Sequence, residues 1–151
     1  MLIGAAALAS VPAVASTPET VETYLARIAA IDDAGPMLNA VIAINPEVRT
    51  QAAAARSAKG ALAGKPILVK DNIETADPMP TTAGSLALKD NVTHRDAPLI
   101  ARLRKAGVVI LGKTNLSEWA NIRSSQSSSG WSGVGGQTRN CLLYTSDAAD
   151  E

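Results

Sequence analysis

Apolar residues in the first third of the chain change from a helical spacing to an extended one and back. Residues 17–19, Thr-Pro-Glu, combine a hydroxyl N-cap, a proline in the first turn and an early carboxylate, and helical spacing continues to Ile31. This pattern predicts a helix that ends at the turn 32–36. The apolar run 38–44 predicts a strand, and Asn-Pro-Glu at 45–47 predicts an Ala-rich helix that extends towards Gly60.

The middle of the chain repeats this alternation. The apolar run within 64–72, GKPILVKDN, predicts a buried strand, and the Pro- and Gly-containing stretch 74–91 predicts a loop with a short helix. Asp96 is expected to cap a further helix, which ends at Gly107. The apolar face of that helix is expected to contain Leu99, Leu103 and Ala106.

The last third begins with the apolar run 108–111, which predicts a strand. Asn115 is followed three residues later by Glu118, which resembles a capping box and predicts the start of one more helix. Beyond Ala120 the chain becomes rich in Ser and Gly. Because predicted helices and strands alternate, the sequence indicates an α/β fold.

The first 18 residues differ from the rest of the chain because they carry no charge. An apolar run followed by Ala-Val-Ala at 13–15 is typical of a secretory signal peptide, although the basic start is missing. The stretch is too short and too interrupted by proline to span a bilayer well. We therefore expect residues 1–15 to be a signal peptide and the protein to be exported. The alternatives are an Ala-rich helix packed on the core and a cytoplasmic protein.

The last 11 residues, CLLYTSDAADE at 141–151, resemble one reading frame of a transposase adapter used in sequencing libraries. We therefore expect this tail to be non-native and the domain to comprise residues 16–140. Three of the 14 acidic residues lie in the tail, so 14 − 3 = 11 remain against 14 basic ones. The single cysteine, Cys141, also lies there, so no disulfide, thiol nucleophile or cysteine-based metal site is expected.

Length and composition allow one domain with an apolar core. The chain has 151 residues, of which 46% are hydrophobic. Aromatic residues make up only 3% and Phe is absent, so the core must consist of Ala, Val, Leu and Ile. The net charge is zero and no stripe of Lys and Arg is present, so nucleic acid is not expected as a partner.

Residues 107–114, GVVILGKT, match the phosphate-loop pattern G-x-x-x-x-G-K-[ST]. A phosphate loop follows a strand and has flexible residues between its glycines. Here Gly107 follows a predicted helix, and the residues between the glycines are Val, Val, Ile and Leu, which favour a strand. A nucleotide-binding protein that uses Lys113 is the alternative from a different functional class, and the sequence context argues against it.

The serines and the single histidine give little support to a Ser-His-Asp site. Ser132 lies in Gly-Trp-Ser-Gly, which lacks the spacing of a nucleophile elbow, and no predicted strand precedes it. Ser127 to Ser129 are expected to lie in a solvated connector. His94 lies in a polar segment and is expected at the surface.

Lys70 ends the apolar run that begins at Pro66. A lysine at a strand end most often projects into water. To act as a base near pH 7.5 its pKa must fall by about 3 from a reference of about 10.4, which corresponds to about 4 kcal/mol. Burial in apolar surroundings can supply such a fall. Strand alternation is expected to direct the neighbouring carboxylate of Asp71 to the opposite face.

Four segments, in this order, resemble the N-terminal part of an amidase signature family enzyme. They are GKPILVKDNI (64–73), MPTTAGS (79–85), DAPLIARLRKAGVVILGKTNLSEWAN (96–121) and SSGWSGVGGQTRN (128–140). The resemblance covers nearly everything from Thr17 to Asn140. It implies an incomplete α/β amidase signature fold, with a mixed sheet flanked by helices, and it implies no cofactor or metal.

Enzymes of this family hydrolyse carboxylic amides with a Ser–cis-Ser–Lys triad, and the resemblance places the lysine of that triad at Lys70. A neutral Lys70 would take a proton from a bridging serine, which activates the nucleophilic serine, while N–H groups of a Gly/Ser loop stabilise the oxyanion. In the family both serines follow the segment that ends here at Asn140. We therefore expect the chain as written to be inactive.

The resemblance implies a small-molecule amide as the substrate. Within the same family the alternative is the amidase-like subunit of a tRNA-dependent amidotransferase. That enzyme is cytoplasmic, so the signal-like start of the chain favours the exported amidase.

Overall fold

The computed structural model describes residues 20–60 and 62–140. Its α-helices are α1 (Val21–Ile31), α2 (Val48–Ala55) and α3 (Pro98–Lys105). Its strands are β1 (Val41–Ile44), β2 (Pro66–Lys70), β3 (Val109–Thr114), β4 (Trp131–Ser132) and β5 (Gly136–Gln137). Two 3₁₀ turns span Leu86–Leu88 and Glu118–Asn121. The predicted α/β class is confirmed.

The three longer strands form a mixed sheet in the order β1-β3-β2. β1 pairs antiparallel with β3, whereas β2 pairs parallel with it. A parallel pair needs a crossover connection, which the long loop and α3 supply. β4 and β5 form a separate antiparallel ribbon. The mixed sheet that the family resemblance implies is therefore present.

The side chains of β3 enter two apolar clusters on opposite faces of the sheet. Val109 and Leu111 pack towards α1 and α2, together with Val48. Ile110 packs on the other face. The second cluster also contains residues from β2, the long loop and α3, namely Val69, Met79 and Ile100. Burial of each such side chain contributes roughly 1.5–3 kcal/mol. Because β3 supplies side chains to both clusters and is the middle strand of the sheet, it is the centre of the fold.

β1 begins at Val41, three residues later than the apolar run predicts. Met37 and Asn39 have φ values of 53° and 52°, which a strand does not allow. The buried carboxylate of Asp32 accepts hydrogen bonds from the N–H groups of Ala40 and Val41 at 2.8 and 3.0 Å. A polar side chain, to which hydrophobic spacing is insensitive, therefore fixes the start of this strand.

Two helix starts differ from the predicted caps. α1 is capped by Thr20, whose Oγ1 accepts a hydrogen bond from the N–H of Thr23, while the predicted cap lies outside the described residues. The prediction that Asp96 caps α3 is wrong, because Ala97 is the N-cap and no side chain caps the helix. Asp96 instead accepts a hydrogen bond from the N–H of Ala76 and pairs with Arg104 near the other end of the helix.

The buried face of α3 is centred on Ile100. Leu103 packs against the same cluster as predicted, whereas Leu99 is 47% exposed. The assignment of Leu99 to this face is therefore wrong. Successive helical residues are separated by roughly 100° around the axis, so an error of one position is enough to expose a side chain.

The helix predicted to begin at Asn115 is also wrong, because only a short 3₁₀ turn forms there. The Asn115 side chain donates to the carbonyl of Gly136 at 3.0 Å and accepts from the hydroxyl of Ser132 at 2.6 Å. Glu118 accepts from the N–H of Gly133 at 2.9 Å instead of closing a capping box. Both side chains connect the segment after β3 to the β4–β5 ribbon.

Both glycines of the phosphate-loop match have a structural explanation. Gly107 ends α3 with a φ of 92°, and a Cβ there would lie 2.8 Å from the Cα of Ala63. Gly112 lies within β3, where a Cβ would collide with the backbone carbonyl of Ala43 in β1. The residues between these glycines lead into a strand and not a phosphate-binding loop. The predicted order of helix and strand is therefore confirmed.

We expect Gly112→Ala to destabilise the folded protein by about 1–3 kcal/mol, as added methyl groups do in packed interiors. The obstacle is a backbone carbonyl, so β1 must move away from β3. The free energy of unfolding is measured by urea denaturation. At an unobstructed position the same substitution stabilises by about 0.4–1 kcal/mol, so a stabilised variant would contradict this account.

Candidate functional site

Lys70 is the last residue of β2 and pairs in register with Thr114 of β3. Its side chain is half-buried, and no hydrogen bond or ion pair reaches its Nζ from the described residues. Leu68, two residues earlier on the same face of the strand, is 38% exposed. The amine therefore lies on a sheet face that this part of the chain leaves partly open.

Asp71 directly follows Lys70 and is buried, at 1% exposure. Its carboxylate accepts hydrogen bonds from the N–H and the hydroxyl of Thr82, and from the N–H of Gly84. Its backbone carbonyl accepts from the N–H of Ala83 at 3.2 Å. These bonds hold the TTAG turn of the 79–85 segment against the end of β2.

Lys113 is the fully buried lysine beside this turn, at 0% exposure. Its Nζ donates to the carbonyl oxygen of Ile73 at 2.7 Å and to Oγ1 of Thr81 at 2.9 Å. These acceptors lie at the two ends of the loop between β2 and the TTAG turn. The amine therefore closes this loop internally, where it is inaccessible to an external phosphate.

Burial dominates the electrostatics of Asp71 and Lys113. Desolvation raises the pKa of Asp71, while hydrogen bonds from Thr82 and Gly84 and the charge of Lys113 oppose the rise. Desolvation lowers the pKa of Lys113, and the charge of Asp71 is the largest opposing influence. The cation that acts on this carboxylate is thus Lys113 and not the adjacent Lys70, which agrees with the expected strand alternation.

The serines and the histidine considered from the sequence take no part in this arrangement. Ser127 to Ser129 are exposed, as is His94, which agrees with their expected surface positions. Ser132 is buried, and its hydroxyl donates to Asn115. Its role is therefore to connect two segments of the fold.

Neither the contacts of Asp71 with Thr82 nor the burial of the Lys113 amine is predicted from the sequence. The motifs that contain Asp71 and Thr82, Lys-Asp at the end of β2 and Thr-Thr-Ala-Gly at 81–84, are visible in the sequence. Their contacts depend on the path of the loop and on the register of β3 against β2, which neither motif encodes.

Residues 19–145 match the family model described as Amidase. The chain belongs to the amidase family. Among solved structures, the peptide amidase from Stenotrophomonas maltophilia is 52% identical and superposes with a TM-score of 0.78 over 82% of this chain. An amidase family protein from Bacillus anthracis is 42% identical, with a TM-score of 0.75 over 80% of this chain. The resemblance drawn from the four sequence segments is confirmed.

Curated relatives show the same relationship. A probable amidase from Arabidopsis thaliana is 44% identical over 140 residues, which cover 87% of this chain. The chain spans only about a quarter of these amidases: 27% of the Arabidopsis protein and 26% of the peptide amidase. The Amidase match also includes residues 141–145, the first part of the tail that is expected to be non-native.

Proposed function

We propose that the chain is the N-terminal part of an amidase that hydrolyses a carboxylic amide with Lys70 as its base. The observation that carries this proposal is the position of Lys70. It lies at the end of a strand parallel to β3, in a chain that is 52% identical to a peptide amidase where the two superpose.

In this proposal a neutral Lys70 takes a proton from a bridging serine, which activates a second serine for attack on the amide carbon. The chain that follows the described segment supplies both serines and the N–H groups that stabilise the oxyanion. A neutral amine requires surroundings in which desolvation penalises the ammonium form. We infer that the remaining chain buries Lys70, because Leu68 leaves the same sheet face partly open.

Peptide amides are the first substrates to test, because a solved relative is a peptide amidase. The full-length protein is expected to release ammonia from them in a coupled assay, without ATP, tRNA or a further protein. Aryl amides and small aliphatic amides complete the panel. If none of the three classes of amide releases ammonia, the proposal is contradicted.

A second candidate is the amidase-like subunit of a tRNA-dependent amidotransferase. The corresponding subunit of the glutamyl-tRNA(Gln) amidotransferase from Rhodopirellula baltica is 39% identical over 115 residues. The 52% identity with the peptide amidase favours the first candidate. Glutamine hydrolysis that occurs only after co-expression with the other amidotransferase subunits would instead favour the second candidate.

A nucleotide site at 107–114 has no support from the geometry. Lys113 is buried and already donates to Ile73 and Thr81. Calorimetric titration of the full-length protein with ATP is expected to show no binding. Lys113→Ala serves as the control. If the wild-type protein binds ATP and this variant does not, the nucleotide hypothesis is restored.

We also infer that the amidase is exported. This inference is supported by the uncharged start of the chain and by Ala-Val-Ala at 13–15, which lie outside the described residues. Among residues 20–60 and 62–140, no helix has the length and apolar character needed to cross a membrane. In a bacterial host we expect cleavage before Ser16, which N-terminal sequencing measures. A secreted or cytoplasmic product that keeps residues 1–15 would contradict the signal-peptide assignment.

A further inference from the structure

We propose that a pocket formed by Trp119 and Trp131 binds an aromatic side chain of the amide substrate. This proposal rests on the proposed amidase function and adds a specificity site to it. The two residues are the only tryptophans in the sequence, and both line one cavity of about 340 Å³. Polar groups, including those of Glu118 and Asn121, complete its lining.

The size and chemistry of this tryptophan pocket fit an aromatic group. A cavity of roughly 150 Å³ is sufficient for a benzene ring, so the pocket has room for an aromatic side chain and part of its backbone. Indole rings attract other aromatic rings in offset and edge-to-face arrangements. Trp131 is 46% exposed in the described part of the chain, and its indole lines the pocket.

The Trp119 side of the pocket has an unusual backbone conformation. Trp119, Ala120 and Asn121 have φ values of 51°, 52° and 60°, in the left-handed region that non-glycine residues rarely occupy. The N–H of Trp119 donates to the carbonyl oxygen of Ala83 at 2.9 Å, and the N–H of Ala120 donates to the carbonyl oxygen of Ser117 at 2.7 Å. Strained residues of this kind persist only where the surroundings impose them, and they are concentrated at functional sites.

A buried hydroxyl connects the two sides of the pocket. Ser117 is at 0% exposure, two residues before Trp119. Its Oγ accepts a hydrogen bond from the N–H of Gly130 at 2.8 Å, and Gly130 directly precedes Trp131. The segments that carry the two indoles are thus tied together, so the pocket is formed before a ligand arrives.

The pocket lies close to the strand end that carries Lys70. The carbonyl of Asp71 accepts from the N–H of Ala83, and the carbonyl of Ala83 accepts from the N–H of Trp119. Two such steps, each no longer than a strand spacing of about 4.8 Å, put the Trp119 backbone within about 10 Å of the Asp71 backbone. That is at most about three residues of an extended peptide, and the side chains at the two ends shorten the gap between them. A peptide amide whose carbonyl lies near Lys70 can therefore place an adjacent side chain in the pocket.

The test is Trp131→Ala in the full-length protein, with two peptide amides that differ only in carrying Phe or Ala next to the reacting amide. We expect kcat/KM for the Phe peptide to fall at least about tenfold, mainly through KM, and that for the Ala peptide to stay within about twofold. Trp131→Phe should restore most of the loss. Ile122→Ala is the control and should change neither value. Ile122 is 80% exposed, lies three residues after Trp119 and does not line the pocket.

Equal losses for both peptides overturn the proposal, because they indicate that Trp131 only packs against the rest of the enzyme. Absence of any loss overturns it as well. If the wild-type protein hydrolyses neither peptide, the proposed amidase function is contradicted. The pocket is then tested separately, by ligand binding. Titration with N-acetylphenylalaninamide should then change the tryptophan fluorescence saturably, whereas N-acetylalaninamide should not. Identical responses to the two compounds overturn the pocket whatever the turnover.

Discussion

Replacing Lys70 with alanine in the full-length protein is expected to lower kcat for amide hydrolysis by about 10²–10⁴-fold, the usual contribution of a positioned base. The variant lacks the group that accepts the serine proton. Lys70 is half-buried and makes no hydrogen bond or ion pair with the described part of the chain. We therefore expect the variant to remain folded, which urea denaturation followed by circular dichroism measures.

Two further variants separate a base from a positive charge. Lys70→Arg keeps the charge, but its guanidinium does not deprotonate in proteins, so it should be as inactive as Lys70→Ala. Lys65→Ala is the matched control, because Lys65 is an exposed lysine just before the same strand and should have no effect on ammonia release. Unchanged turnover in Lys70→Ala, or high activity in Lys70→Arg, would reject the assigned role.

Hydrophobic spacing predicts the elements well where apolar contacts decide them. The run after Pro66 forms β2 and ends at Lys70, as the sequence indicates, because Ile67 and Val69 pack into the apolar cluster that contains Ile110. The prediction fails where a polar side chain decides the backbone. Asp32 delays the start of β1, and Asn115 bonds to the β4–β5 ribbon instead of capping a helix. Such contacts join residues far apart in the chain, so local patterns do not contain them.

The location of Lys70 in the candidate site follows from the sequence, whereas the burial of Lys113 does not. The pairing of β2 with β3 passes from Ile67 with Ile110 directly to Leu68 with Gly112, which skips Leu111. Simple alternation would put Lys113 on the face of Leu111, towards α1 and α2. The irregularity moves it to the opposite face, where the loop after β2 surrounds it. A one-residue shift of this kind has no signature in an apolar run.

The second large effect is expected from Asp71→Ala, which should lower the free energy of unfolding by about 3–5 kcal/mol. The substitution leaves two buried donors, the N–H and the hydroxyl of Thr82, without their acceptor. It also removes the negative charge that does most to stabilise the ammonium form of the buried Lys113. Asp71→Asn keeps one acceptor oxygen of similar shape and should cost less. Urea denaturation of the full-length protein measures both variants.

A double-mutant cycle tests whether Asp71 and Lys113 stabilise the fold as a pair. Lys113→Met alone leaves the Asp71 carboxylate without its cation and leaves the acceptors Ile73 and Thr81 without a donor. In Asp71→Asn combined with Lys113→Met no buried charge remains at this position. We therefore expect the double variant to be more stable than the sum of the single effects by at least about 1 kcal/mol. Strict additivity would show that the two charges act independently.

The pH dependence of stability distinguishes the charges of this pair from its hydrogen bonds. Burial raises the pKa of Asp71 above its ordinary value of 3.8, so the folded state binds the proton more tightly than the unfolded state does. The contribution of this titration is fully present below pH 3.8 and is lost as the pH rises through the folded pKa. Stability relative to Asp71→Asn should therefore decline over that window and then level off. A difference that is constant with pH would mean that Asp71 acts only through its hydrogen bonds.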